Sequence, residues 1–324
     1  MVTRARTLFI LLAAVLLTSC HKELCYDHHH EGMSLNVQFD WAGTAPSSVS
    51  SMTLLLYPIE GGAPLRFPFS DVYGGSISLS SGTYRAICVN DDETLQLINT
   101  DNWETVSVTT SETDIISRSA FGMTRAAIPR ASGTEDERVL REPALLFADT
   151  CSLLTVKATT TGTNQTIRFQ PKMPLGMMHV TVENVENLEY LKTVSGAVTG
   201  LSSSLNLSTL KPSVEHCTMP VALRVTANGS LEGYIRFFGH CPHPEDALEH
   251  ILTVYTMMVD NSKQAANFNV TSMLHHDNGS GETESDQNPD VTVEEYTLPT
   301  PEAAEGGFDI DMDEWSTTDI DLKM

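Results

Sequence analysis

A period of two, repeated in short runs between turns, constrains this chain more than any other feature. Over residues 33–41, Leu35, Val37 and Phe39 alternate with Asn36, Gln38 and Asp40. Successive side chains of a strand point to opposite faces, so the spacing predicts a half-buried strand. The same alternation recurs where Ile77 and Leu79 sit between serines. It recurs again where Met178, Val180 and Val182 sit among His179, Thr181 and Glu183. Residues 52–57 form a fuller apolar run, closed by Pro58 and Gly61-Gly62. The first half carries no 3.6-residue period of any length, and residues 185–191 read as one short helical turn. Short β-branched and aromatic runs with frequent turns predict an all-β sandwich.

The turns suggest local pairings. Ser81-Gly82 between strands at 76–80 and 83–89 reads as a hairpin, and residues 162–164 read as a second, joining 152–160 to 165–170. Residues 118–142 lose the pattern and read as a long loop near a domain boundary. Residues 200–218 read as a crossover loop within a second sandwich. The division expected is a leader at 1–19, a tether at 20–32, an N-terminal sandwich at 33–148 and a C-terminal sandwich at 149–324.

The leader rests on its own motif. Arg4 and Arg6 precede an apolar run from Leu8 to Leu17, followed by Thr18, Ser19 and Cys20. That run is about half of the roughly 20 residues that span a bilayer, so it reads as a cleaved signal. Leu17-Thr18-Ser19-Cys20 is the bacterial lipoprotein cleavage pattern. It makes Cys20 the mature first residue and the lipid carrier, and places the chain on a membrane through that lipid.

Charge excludes one class of partner. The 324 residues hold 42 acidic and 19 basic side chains, a formal net charge of −23. Phosphate backbones attract the opposite sign, so nucleic acid is not an expected partner. Six cysteines are present. With Cys20 lipidated, the five that remain cannot all pair within one chain.

Candidate sites are few. His216-Cys217 and His240-Cys241, with His243 beyond, offer imidazole and thiolate, but their spacing matches no compact zinc motif. A Cys217–Cys241 disulfide or unrelated surface histidines are the preferred readings. His28-His29-His30 beside Asp27 and Cys25 reads as a solvated tether. Asp309, Asp311, Asp313 and Glu314 resemble a calcium loop, yet Glu314 stands where that loop requires glycine. Alternation of Phe308, Ile310 and Met312 with the aspartates reads instead as a closing strand pair continued by Ile320 and Leu322. No nucleophile elbow, phosphate loop or His-Glu-x-x-His motif is present. The expectation is a non-enzyme with no cofactor and no metal.

Several landmarks then fall in a recognisable order. The lipobox and tether lead to Phe39-Asp40-Trp41. Gly82-Thr83-Tyr84-Arg85-Ala86 and Val89-Asn90-Asp91 follow, then Phe268-Asn269-Val270-Thr271, and finally Gly306-Gly307-Phe308-Asp309 through Asp313-Glu314-Trp315. Together they resemble the fimbrillin-like lipoproteins of the Bacteroidota. The resemblance implies two tandem transthyretin-like antiparallel β-sandwich (Greek-key) domains. It also implies an outer-membrane or cell-surface lipoprotein. The wider superfamily supplies stalk, tip and anchor subunits of fimbriae that assemble by strand exchange. Its stalk subunits are trimmed after an arginine near the first strand. Here the first arginine after Cys20 is Arg66, and Lys22 is the only basic side chain between His21 and Leu65. The resemblance therefore implies an unprocessed anchor or accessory subunit that pairs strands with fimbrial partners. The rival expectation is a surface lipoprotein that binds a glycan or other small ligand for uptake, using an aromatic-lined pocket.

Overall fold

The structure is a computed structural model, and it describes residues 33–123, 127–157, 165–240, 249–277, 283–285, 288–301 and 314–320. In the first half the strands are β1 (Met33–Phe39), β2 (Met52–Pro58), β3 (Leu65–Phe69), β4 (Gly74–Leu79), β5 (Gly82–Asn90), β6 (Leu95–Ile98), β7 (Ser107–Thr110), β8 (Arg138–Val139), β9 (Ala148–Val156) and β10 (Gln165–Phe169). A sheet ordered β3-β2-β5-β9 packs on a sheet ordered β10-β1-β4. Leu35, Val37 and Phe39 of β1 enter this core against Met52, Leu54 and Leu56 of β2, and Phe39 meets Phe69 edge-on at 5.3 Å. The alternation read from residues 33–41 is thus one buried face.

β2 is apolar throughout because both its faces are covered. Leu54 and Leu56 face the first core, while Leu55 and Tyr57 join Ile87 and Val89 in the larger core shared with the second half. Gly74 holds φ at +119°, and a Cβ there would run into the carbonyl of Val37 across the β1–β4 ladder.

Both expected hairpins are corrected by the topology. β4 pairs with β1, whereas β5 pairs with β2 and β9, so Ser81-Gly82 carries the chain from one sheet to the other. β9 likewise lies on β5, and β10 runs parallel to β1, so these two strands also belong to different sheets. Leu154, Val156, Ile167 and Phe169 belong to the first core. Strand pairing of the first sandwich therefore continues to Phe169, past the boundary expected at residue 148.

The second half contains β11 (Gly176–Val182), β12 (Val185–Glu186), β13 (Leu191–Ser202), β14 (Ser204–Asn206), β15 (Lys211–Pro212), β16 (His216–Val221), β17 (Arg224–Val225), β18 (Leu231–Phe237), β19 (Ile251–Met258), β20 (Lys263–Asn269), β21 (His275–Asp277), β22 (Thr283–Ser285), β23 (Asp290–Val293), β24 (Tyr296–Thr297) and β25 (Ser316–Ile320). A 3-10 turn at Leu188–Tyr190 occupies the expected short helical position. A six-stranded sheet, β25-β20-β19-β13-β16-β8, packs on β17-β18-β11-β23. The segment expected as a crossover loop instead supplies β14, which pairs with β7 and ties the halves together. The fold is the expected all-β sandwich, with parallel strands β10, β23, β25 and β8 added at sheet edges. Parallel neighbours need long connections, which these supply.

Residues 118–123 and 127–142 are not a free linker. Ile115, Ile116, Phe121 and Met123 pack on Ala197, Tyr255, Met257 and Ala265, covering the outer face of the six-stranded sheet. Tyr255 donates its hydroxyl to the Pro129 carbonyl at 2.9 Å. Arg130 donates to Thr218 Oγ1 at 2.9 Å and to the Glu137 carbonyl at 2.9 Å.

Candidate functional site

Two places in the second sandwich concentrate unusual geometry. The first is the β20 edge. β25 runs parallel to β20, with Gln264 to Phe268 opposite Ser316 to Ile320. Residues 316–319 are exposed, and Ile320 alone packs on the main core. The remaining attachment is polar: Asn267 Nδ2 donates to Asp319 Oδ1 at 2.8 Å, and Ser316 Oγ donates to the Lys263 carbonyl at 3.2 Å. A strand held by backbone bonds and little apolar area lies at the low-stability end of a fold. By contrast β1 lies between β10 and β4, with Leu35, Val37 and Phe39 each 1% exposed.

The second place is a cluster of three imidazoles, His240, His250 and His275, whose nitrogens lie within 4.8 Å of one another. Each comes from a different element. His240 pairs with Leu201 beside the irregularity in β13. His250 immediately precedes β19, and His275 follows the helical turn Thr271–Leu274. Hydrogen bonds hold the segments that carry two of them. Ser202 N–H donates to the Gly239 carbonyl at 2.9 Å, and His250 N–H donates to Thr271 Oγ1 at 2.8 Å. Ring centroids are 4.5 Å apart for His240 and His275, and 5.0 Å apart for His250 and His275.

Gly200 makes the cluster fit. Its φ is +74°, and a Cβ there would lie 2.8 Å from His250 Nδ1. Burial pushes His250 down to about 4, with the carbonyl of Thr199 acting upward and His275, His240 and His216 acting downward. Burial also lowers His275. Both rings are neutral near neutral pH.

Two further features frame the rival expectations. A cleft of about 470 Å³ is lined by Tyr57, Arg85, Asp101, Asn102 and Trp103 among others. Its Trp103 ring meets Tyr57 edge-on at 5.6 Å and the Arg85 guanidinium at 5.6 Å from the centroid. On the outer face of β11 and β18, His179 stacks on Tyr234 at 4.4 Å and bonds Glu232 and Asp290 at 2.8 and 3.1 Å.

The expected site residues divide sharply. Cys217 is a free thiol, fully buried in the larger core, and burial raises its pKa. Its expected bridge partner, Cys241, lies outside the described residues. Cys20, Cys25, the 28–30 histidines, Cys241, His243 and residues 302–313 lie outside the described residues. His240 does join a histidine cluster, but its companions are His250 and His275. Sequence spacing gave no sign of them. Among the described residues no helix is long and apolar enough to cross a membrane.

The fold has solved relatives. A candidate adhesin from Bacteroides ovatus superposes with a TM-score of 0.63 at 17% identity, covering 84% of this chain and 94% of that one. The fimbrial anchor protein Mfa2 from Porphyromonas gingivalis is a more distant match, with a TM-score of 0.43 at 14% identity over 69% of this chain and 76% of that one. No curated protein matches the sequence. Residues 19–222 match the family described as a domain of unknown function, DUF5119. That match covers more than half of the chain, so the chain belongs to the DUF5119 family, and it shares its fold with the B. ovatus adhesin candidate.

Proposed function

We propose that this chain is a lipid-anchored surface subunit, held in the outer membrane through Cys20, that acts as a fimbrial anchor or accessory adhesion protein. It works by pairing a β-strand with a partner subunit. The observation that carries this reading is the β20 edge. β25 is parallel, peripheral and exposed over four of its five residues. An edge of this kind presents backbone N–H and C=O groups to another chain, either beyond β25 or in its place. The enclosed position of β1 supports the unprocessed reading, because its removal would open the first core. That agrees with the absence of arginine between Cys20 and Arg66. The coverage of the B. ovatus adhesin candidate over nearly its whole length supports the same architecture.

The Trp103 cleft favours a second reading, glycan binding for uptake. Its aromatic ring is already engaged by Tyr57 and Arg85, which leaves less of it for a sugar face. One experiment separates the two. The lipidated protein is recovered from its native membrane and its companions are identified. Homologous β-sandwich subunits support the fimbrial role; a transporter or glycan-processing partner without such subunits supports uptake. Cys20→Ser should release the protein from the membrane fraction, and continued attachment would refute the lipid anchor.

A further inference from the structure

We propose that His240, His250 and His275 form a binding site for one divalent transition-metal ion of the zinc class. This goes beyond the surface role above and does not depend on it.

The argument begins with the tautomer of His250. Its Nδ1 lies 3.0 Å from the backbone oxygen of Thr199. A carbonyl oxygen only accepts, so Nδ1 carries the proton. In the neutral ring the lone pair is then on Nε2, which points at His275 Nε2 across 2.9 Å. A metal-binding imidazole is held in this way, with its far nitrogen donating to a carbonyl that sets ring orientation and tautomer. Without an ion, His275 Nε2–H donates to His250 Nε2. When an ion binds, His275 passes to its Nδ1–H tautomer, and both Nε2 lone pairs face the same point. Neither ring changes its net charge in this exchange.

Geometry supports the assignment. Metal–imidazole bonds of about 2.0–2.1 Å in a tetrahedral arrangement place ligand nitrogens roughly 3.3 Å apart. The three histidines already offer nitrogens within 4.8 Å, so side-chain rotations of a few tenths of an ångström to an ångström suffice. An all-nitrogen donor set selects zinc, copper, nickel or cobalt over magnesium and calcium, which take oxygen. Three protein ligands leave the fourth position to water.

The site also has a structural consequence. His240 follows the end of β18, His250 immediately precedes β19 and His275 opens β21. One ion would clip the segment after β18 to the open end of the β19–β20 hairpin.

The test uses the full chain in detergent. The substitutions H28A, H29A and H30A remove the tether histidines as a competing site. Co2+ is titrated at pH 7.5 and followed by visible absorption, and Zn2+ binding is measured by calorimetry. The expected result is one ion per chain with the intense visible bands of tetrahedral cobalt. Outer-shell partners of metal-binding histidines are worth about 10–100-fold, so His275→Gln, which removes a ligand, should weaken binding by at least about 100-fold. His275 is half-buried and glutamine keeps a polar group there; circular dichroism checks the fold, and His240→Gln serves as the second variant. Absence of saturable binding in the chain without the tether histidines overturns the proposal. So does binding of unchanged affinity in both variants.

Discussion

His250 and Thr199 are joined by a 3.0 Å hydrogen bond from the imidazole Nδ1–H to the backbone oxygen, and the next residue, Gly200, lacks the Cβ that would block that ring. Gly200→Ala should therefore act twice. It forces a side-chain residue to φ near +74°, and it sets a methyl 2.8 Å from Nδ1. Strained backbone of this kind costs about 1–3 kcal/mol, and crowding adds to it. Denaturant unfolding should show a loss of at least about 1 kcal/mol. An unchanged midpoint would show that the bulge relaxes freely.

Acid should weaken the fold through the same ring. Burial depresses His250 from an ordinary 6.5 to about 4, so below pH 6.5 the unfolded chain takes up a proton that the folded chain refuses. Stability contributed by the neutral ring is complete above about pH 6.5 and is lost as pH falls toward 4. The full loss is on the order of 3 kcal/mol. The groups facing the ring are the Thr199 carbonyl, His275, His240 and His216, and the three imidazoles oppose its charging as well. Unfolding measured without metal across pH 4–7 should show a shallower slope for His250→Gln than for the parent chain.

Thiol reactivity tests the state of the cysteines. Cys88 and Cys217 are buried, and burial raises both pKa values. Cys151 is half-buried, with its thiol donating to the Leu153 carbonyl at 3.4 Å. Reactivity follows the thiolate and its exposure. Alkylation under native conditions, mapped by mass spectrometry, should label Cys151 well before Cys88 and Cys217. All three should label on unfolding without reductant. A Cys217 that labels only after reduction would restore the disulfide.

The strap over the six-stranded sheet should depend on Tyr255. Its hydroxyl donates to the Pro129 carbonyl, and its ring meets Trp315 edge-on at 5.6 Å. Tyr255→Phe keeps the ring and removes the bond. It should cost about 1 kcal/mol and speed native trypsin cleavage at Arg118 and Arg130. Unchanged cleavage would show that apolar packing of Phe121 and Met123 holds the strap alone.

The sequence announced strands better than partners. The alternation at Leu35, Val37 and Phe39 is satisfied by any apolar layer opposite, and the continuous run at Leu54, Leu55 and Leu56 reports burial on both faces. Ser81-Gly82 marks a reversal, but a reversal within one sheet and a crossing between two sheets use the same residues. That is why β4 and β5, and β9 and β10, were expected as hairpins and are found in opposite sheets. The strap was opaque because Ile115, Phe121 and Met123 follow neither strand nor helix spacing. The histidine cluster was opaque for a different reason. His240 lies after β18 while His250 and His275 flank the β19–β20 hairpin, and the adjacent His-Cys pairs drew attention instead to Cys217, whose thiol lies in the core.

The central claim, strand pairing at the β20 edge, is tested most directly by site-specific crosslinking in the native membrane. A photoactivatable residue replaces exposed Thr317 in β25. A second chain carries the same probe at exposed Tyr73, far from that edge in sequence and on the first sandwich. The account predicts crosslinks from position 317, and not from position 73, to a second β-sandwich subunit. Crosslinks from position 317 confined to this chain, in membranes where such subunits are present, would contradict it.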